Sequence, residues 1–257
     1  MIAVVAALKE ELTGYLASGR YRETGREGDV RWFESPSSRH VAVVLGGIGR
    51  EAIESAARFA LSRYAPDLVV SAGFAGGVRP EFRPGDLVLC DQTWSVEGPP
   101  ERWSVESAQV TATKIELVRE LEALRTGAIR GDCLSVPQVV TGRTMKGWIG
   151  SHFPVAIIDM ESYWVSLAAA GYGVPMIAVK SVVDPVEQTL PPLVAKMAGG
   201  HGAPRWASAL GSVLARPGQL PDLLRLASQA RAARESLARF LDALASSPAT
   251  SGEKMNV

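Results

Sequence analysis

Short apolar runs alternate with polar or amphipathic segments along most of the chain. Each run ends at a turn signal such as glycine, proline or a charged residue, and several are followed by a helical pattern. Continuous apolar strands that alternate with helices indicate a mostly parallel sheet covered on both faces. The pattern therefore predicts an α/β fold. The runs span residues 2–8, 40–49, 67–77, 85–90, 128–140, 155–160 and 175–183.

Apolar residues at helical spacing predict helices between these strands. They cover residues 51–65, 113–125 and 162–173, and the last segment ends at a glycine, which is a usual stop signal. Residues 21–35 have the pattern of a hairpin, which adds antiparallel pairing. We therefore expect the central sheet to be mixed.

The last third of the chain differs from the rest. Sequence rich in proline and glycine after Asp184 predicts a long loop, and leucines at helical spacing over 220–245 predict one or two amphipathic helices. We interpret residues 1–245 as a single domain, in which 185–245 supply a lid loop and C-terminal helices. Residues 246–257 are predicted to form a disordered tail.

Composition narrows the class of protein. The 257 residues are 47% hydrophobic and 21% charged, which is ordinary for a globular protein with a substantial core. Equal numbers of basic and acidic residues, 27 of each, provide no global attraction for nucleic acid or an anionic membrane. Two cysteines make no disulfide framework, and no apolar run approaches the ~20 residues that span a bilayer. We expect a cytoplasmic protein.

Carboxylates and a glycine-rich turn stand where the predicted strands end. Glu11 follows the first run, glycines recur in 73–77, Glu161 follows the sixth run together with Asp159, and Asp184 ends the seventh. Ligands usually bind at the carboxyl ends of parallel strands, so we expect these groups to converge on one site. Taken singly, each has a plainer interpretation as a helix cap, a first-turn acid or a turn residue.

Other chemistries have less support. The cysteines have no histidine nearby, and no histidine pair has the spacing of metal ligands. We therefore expect no metal and no cofactor. Four aromatic residues close to the acids in sequence could stack on a flat ring, although core packing explains most of them. They are Trp148, Phe153, Tyr163 and Trp164.

Five blocks, taken in order, resemble the purine nucleoside phosphorylase and nucleosidase superfamily. They are ALKEE (7–11), GGIG (46–49), PDLVVSAGFAGGV with the following GDLVL (66–89), IIDMES (157–162) and VPMIAVKSVVDP (174–185). The resemblance implies a three-layer α/β/α fold with a mixed central sheet and a C-terminal helical extension. It also implies an enzyme that cleaves N-ribosidic bonds of nucleosides.

The resemblance assigns roles to individual residues. Glu161 would hold the ribose hydroxyls, with Met160 packed on the sugar. Asp184 would donate a proton to the purine, and Glu11 would activate the attacking water. The remaining expected substrate-binding residues form the walls of the base and anion pocket: Gly73, Phe74, Ala75, Gly76, Phe153 and Val183.

Three positions depart from the family pattern. Val183 stands where a serine usually precedes the aspartate, Phe74 replaces the phosphate-binding serine, and Ser71 stands where many phosphorylases have an arginine. These changes weaken a phosphate site, whereas Glu11 favours water, although phosphate stays open as a co-substrate. Candidate replacement anion ligands are Arg50, Arg143 and Lys180.

The final third is similar to the hopanoid-associated phosphorylase branch, which carries an LPP segment and a QLP-containing, arginine-rich helix. This similarity implies a 5′-modified adenosine as substrate, namely adenosylhopane, with release of adenine. Such a lipid-tailed substrate needs an apolar mouth, whereas the plainer alternative is a lid that closes over any nucleoside. Candidate residues for the mouth are Leu190, Leu193, Val194, Met197 and Trp206.

Two alternatives stay open at this point. One is a methylthioadenosine/S-adenosylhomocysteine nucleosidase, and the other is a non-catalytic nucleoside-binding module. The resemblance further implies a homo-oligomer, with a dimer favoured. The C-terminal helix either packs on the domain or touches a membrane peripherally.

Overall fold

The computed structural model describes residues 1–124, 126–191, 194 and 220–247. Its ten strands are β1 (Ile2–Ala6), β2 (Arg22–Glu27), β3 (Val30–Glu34), β4 (Val41–Leu45), β5 (Leu68–Gly77), β6 (Leu87–Ser95), β7 (Gln109–Ala112), β8 (Ile129–Ser135), β9 (Ile157–Asp159) and β10 (Met176–Asp184). Its α-helices are α1 (Thr13–Ser18), α2 (Arg50–Tyr64), α3 (Ile115–Glu122), α4 (Arg143–His152), α5 (Ser162–Gly171) and α6 (Leu220–Ala245).

All ten strands belong to one mixed sheet. Its order is β10-β6-β8-β9-β5-β1-β4-β3-β2, with β7 paired to β6. Strand β10 also pairs with β5, so five strands close into a ring. The parallel pairs β1–β4, β1–β5 and β5–β10 bring the carboxyl ends of the central strands to one edge.

Helices cover both faces of the sheet because the buried strands are apolar on both sides. In β1, Val4 belongs to the core cluster shared with α1, α3 and α6, whereas its neighbour Val5 belongs to the cluster shared with α2 and α5. A third cluster packs α4 against one side of the strand ring. This arrangement confirms the three-layer α/β/α fold with a mixed sheet and a C-terminal helix.

Three elements were not expected from the apolar pattern: α1, β7 and α4. The run 128–140 was predicted as one strand, but β8 ends at Ser135 and an irregular segment leads into α4. Residues 220–245 form one helix. Of the proposed apolar mouth, Leu193, Met197 and Trp206 lie outside the described residues, as do residues 248–257 of the tail. The division into domains stays a prediction.

A search of the described helices for a membrane span is negative. None of those helices combines the length and the hydropathy that crossing a bilayer requires.

Candidate active site

One pocket lies at the sheet edge where β1, β5, β9 and β10 end. Eight of the ten residues predicted for the site line it: Glu11, Phe74, Ala75, Gly76, Met160, Glu161, Val183 and Asp184. The rest of its wall is mostly apolar and comes from Ala7, Leu8, Ile48, Val136, Gln138, Val139, Val140, Ile158, Asp159, Leu190 and Val194. The structure thus places three predicted acids around a single cavity.

Glu11 is fixed by backbone donors from two segments. Its Oε2 accepts the N–H of Leu8 at 2.8 Å, and its Oε1 accepts the N–H of Phe74 at 2.9 Å. A Cβ at Gly73 would lie 2.8 Å from Oε1, so the glycine permits this close approach although it does not line the pocket. Burial raises the pKa of Glu11, while Lys180 and the two N–H donors act in the opposite direction.

Glu161 connects the start of α5 to the glycine loop before α2. Its Oε1 accepts the N–H of Gly49 at 3.0 Å, and Gly49 has a φ of 91°, which favours glycine. Burial, followed by the charge of Asp159, raises the pKa of Glu161 to about 7, although Lys180 opposes this shift. The carboxyl group can therefore change its charge near neutral pH.

Asp159 is held by more donors than the other pocket acids. Lys180 Nζ lies 2.9 Å from its Oδ2, the hydroxyl of Ser135 donates to Oδ1 at 2.6 Å, and Ser162 donates through both its N–H and its hydroxyl. Burial alone would raise the pKa of Asp159, but Lys180 and the two hydroxyls outweigh it, so the pKa is lowered. The N–H contact of Ser162 is the helix cap that the sequence suggested.

Asp184 ends β10 and forms an ion pair that the sequence reasoning missed. Lys146 Nζ lies 2.5 Å from Asp184 Oδ2, and the side chains are 0% and 5% exposed. The same ammonium donates to the carbonyls of Pro185 at 2.9 Å and Gln188 at 2.8 Å. Burial raises the pKa of Asp184 to about 6 even though Lys146 lowers it. The absence of the usual serine at Val183 was the one sequence signal that Asp184 needs another partner.

The aromatic residues near the acids do not line this pocket. Phe153 was expected to bind substrate, but it packs in the third core cluster with its ring centroid 6.0 Å from that of Trp148. The residue is buried at the C-terminal end of α4, where its N–H donates to the carbonyl of Ile149 at 2.8 Å. Tyr163 donates its hydroxyl to Gln109 rather than facing the cavity. Core packing accounts for these rings.

The three candidate anion ligands also lie elsewhere. Arg50 lines a neighbouring recess, where Glu54 and Glu97 accept its donors at 3.1 and 2.6 Å. Lys180 is paired with Asp159, and Arg143 is exposed at the start of α4. Among the residues that the structure describes, no group of three histidine, cysteine or acidic side chains is placed to hold a metal ion.

The fold and the site define an α/β protein with a buried acid–base pocket at the sheet edge. A sequence profile described as the phosphorylase superfamily matches residues 1–201. The chain belongs to the phosphorylase superfamily, which confirms the resemblance and the enzyme class drawn from it, a nucleoside phosphorylase or N-ribosyl hydrolase.

Solved structures of nucleosidases share this fold. The chain is similar to the 5′-methylthioadenosine/S-adenosylhomocysteine nucleosidase of Helicobacter pylori, with 17% identity, a TM-score of 0.69 and coverage of 94% of this chain and 97% of that one. The futalosine hydrolase of Helicobacter pylori gives the same values. The methylthioadenosine/S-adenosylhomocysteine nucleosidase of Neisseria meningitidis is 18% identical, with a TM-score of 0.67 and coverage of 93% and 97%.

Proposed function

We propose that the chain hydrolyses the N-ribosidic bond of a 5′-substituted adenosine and releases adenine. The observation that carries this proposal is the meeting of Asp184, Glu11 and Glu161 around one cavity. In this assignment Asp184 protonates the leaving purine, Glu11 activates water and Glu161 binds the ribose hydroxyls with Met160 against the sugar.

The chemistry balances with these groups alone. As the bond from C1′ to N9 lengthens, positive charge develops on the sugar, and the buried carboxylates stabilise it. Protonated Asp184 gives its proton to the departing adenine, which otherwise leaves as an anion. Water adds to C1′ while Glu11 takes one of its protons. The two carboxyl groups then return to their starting states by proton exchange with solvent.

Water is favoured over phosphate by the contacts of the loop N–H groups. The amides of Leu8 and Phe74 donate to Glu11, and that of Gly49 donates to Glu161, so these donors are already used. A phosphate would also lie beside two buried carboxylates without a cation on the pocket wall among the residues described. Repulsion of this kind disfavours binding of a second anion.

The apolar wall supports a hydrophobic 5′ substituent. Ala7, Ile48, Val140, Leu190 and Val194 add no charge to the pocket, which encloses about 220 Å³. Small-molecule pockets typically enclose ~300–1,000 Å³, so a long hydrocarbon tail would extend beyond this cavity. Adenosylhopane, the substrate implied by the sequence resemblance, has such a tail.

A second candidate is a small 5′-alkylthio substituent, as in methylthioadenosine. The likeness to structures of methylthioadenosine/S-adenosylhomocysteine nucleosidases favours this alternative. The small volume of the cavity suits the compact substituent equally well.

The deciding experiment quantifies adenine released from adenosylhopane and from methylthioadenosine, each with and without inorganic phosphate. The proposal predicts turnover that does not depend on phosphate, with a higher kcat/KM for adenosylhopane. Turnover of methylthioadenosine alone would reject the hydrocarbon tail, and a strict phosphate requirement would reject hydrolysis. Absence of turnover with every nucleoside, together with retained binding, would indicate a nucleoside-binding module.

We also propose a homodimer, which the resemblance implies, and a lid loop that precedes the C-terminal helix within residues 185–245. Two contacts hold the segment after β10: Leu190 N–H donates to the carbonyl of Thr141 at 2.9 Å, and the side-chain amide of Gln188 bonds reciprocally with that of Gln229 on α6 at 2.7 and 3.1 Å. Sedimentation of the purified chain tests the assembly.

A further inference from the structure

Lys146 occupies an unusual place for a lysine. Its side chain is 0% exposed, and its three N–H donors are used by the carboxylate of Asp184 and by the carbonyls of Pro185 and Gln188. Burial of an ammonium is costly unless such partners compensate for lost water. Helix α4 therefore delivers a compensated positive charge to the proposed acid.

The contact is made to only one oxygen of the acid. Lys146 binds Asp184 Oδ2, whereas Oδ1 accepts no hydrogen bond from another residue in the described part of the chain. A proton that Asp184 donates to a substrate would therefore be carried by Oδ1. The ammonium thus distinguishes the two oxygens of a carboxyl group that would otherwise be free to rotate.

We propose that Lys146 is a positioning residue that orients Asp184 toward the purine and sets the pH range over which Asp184 carries its proton. This inference rests on the proposed role of Asp184 as the acid. Lys146 itself does not touch the substrate in this scheme, because its donors are all engaged by protein groups.

The surroundings of Asp184 leave Lys146 as the dominant charge acting on it. On β5, Gly76 lies so close to Asp184 that a Cβ added to the glycine would be 3.4 Å from Oδ2 and 3.5 Å from Oδ1. On β9, Ile158 lines the same pocket. Helix α6 approaches this region through the uncharged Gln229. None of these neighbours titrates.

Acids elsewhere around the pocket have less influence. Glu11 and Glu161 line the same cavity, and Glu187 is exposed in the segment after β10. Burial is nevertheless the main cause of the raised pKa of Asp184, and Lys146 is the one charged group, among those described, that lowers it. Removing the ammonium should therefore raise the pKa further.

The test is the pH profile of kcat/KM for adenine release by K146M, K146Q and K146R, with the exposed K114M as the matched control. For K146M and K146Q we expect the basic limb to move upward by about one pH unit, since an opposite charge at this distance shifts a carboxyl pKa by about 1–3 units. We also expect the maximum of the profile to be about tenfold lower or more, in kcat rather than KM, because the acid is weaker and less well oriented.

The remaining variants complete the test. K146R should restore the position of the basic limb, and K114M should match the wild type throughout. A uniform loss of rate at every pH in K146M, or an unmoved basic limb in K146Q, would show that Lys146 has only a structural role. Retained turnover by D184N would instead reject the acid assigned under the proposed function, whatever the lysine variants do.

Discussion

Two buried lysine–aspartate pairs lie at the same pocket, and the pKa values of their carboxyl groups are shifted in opposite directions. Lys180 and Asp159 are 2.9 Å apart, and Lys146 and Asp184 are 2.5 Å apart. The pKa of Asp159 is lowered, whereas that of Asp184 is raised to about 6. The distance between the charges therefore does not decide the direction of the pKa shift.

The number of other donors separates the two pairs. Asp159 accepts hydrogen bonds from the side chains of Ser135 and Ser162 in addition to Lys180, and these bonds favour its charged form. Asp184 accepts only Lys146 among the side chains described. One pair thus supports a permanent charge at the base of the site, and the other leaves its acid able to take up a proton.

The largest effect should come from removing the proton of Asp184. In D184N, adenine release should fall about 10²–10⁴-fold, because a general acid contributes that much to the rate. Adenine binding measured by calorimetry should persist. D91N changes a partly exposed carboxylate paired with Arg130 and serves as the control, which should keep its turnover.

The second effect concerns stability. In K180M, the free energy of unfolding should fall by about 3–5 kcal/mol, because Asp159 is left as an uncompensated buried charge near Glu161 and Glu11. Urea denaturation at pH 7 measures this. R130M removes a surface pair with Asp91 and should cost at most ~1 kcal/mol. Equal losses of unfolding free energy in K180M and R130M would contradict the expectation that the buried pair matters more than the surface pair.

The third effect is the pH dependence of the two aspartates. The folded pKa of Asp184 lies above its unfolded value of 3.8, so its stabilising contribution is fully present below pH 3.8 and is lost as the pH rises through about 6. The difference in unfolding free energy between the wild type and D184N should therefore fall by roughly 3 kcal/mol over this window.

Asp159 should behave in the opposite way. Because its folded pKa is lowered, its contribution is present above pH 3.8 and is lost only as the pH falls through the folded value. Between pH 4 and 6, the difference in unfolding free energy between the wild type and D159N should therefore stay constant in denaturation experiments. Parallel curves for D159N and D184N would mean that the two pairs do not differ as described.

The smallest effect tests the hydroxyl donors directly. S135A removes a bond to Asp159 at 2.6 Å and the acceptor for the N–H of Tyr163 at 2.9 Å, and should cost about 1–3 kcal/mol. S62A changes an exposed serine on α2 and should stay within about 0.5 kcal/mol. A cost for S135A no larger than that for S62A would indicate that the hydroxyl does not stabilise Asp159.

The sequence predicted the sheet and the pocket acids because both depend on local patterns. Apolar runs identify strands, and their carboxyl ends meet in any parallel arrangement. The sequence pattern did not predict helix α4, because Gly147 and Gly150 weaken its helical propensity and its apolar residues have no clear helical spacing. Lys146 on that helix resembles an ordinary surface lysine in sequence, and only the packing of α4 against the strand ring buries it.

Similar reasoning explains the error at Phe153. Its closeness to the acids in the sequence suggested that its ring could stack on a base, but a side chain between α4 and β9 can face either the cavity or the third core cluster. Neighbouring elements decide which, and the sequence contains no local signal for it. By contrast, valine in place of the usual serine at position 183 indicated that Asp184 lacks its usual partner. It gave no indication that Lys146 on α4 takes that place.

The closed ring of strands has a consequence for amide hydrogen exchange. Strand β10 is paired on both sides, so its amides over residues 178–181 can exchange only when the ring opens. Residues 138–140 also line the pocket, and they belong to neither a strand nor a helix. The backbone that leads towards Asp184 should therefore exchange slowly, whereas the amides of residues 138–140, which belong to no strand or helix, should exchange much sooner.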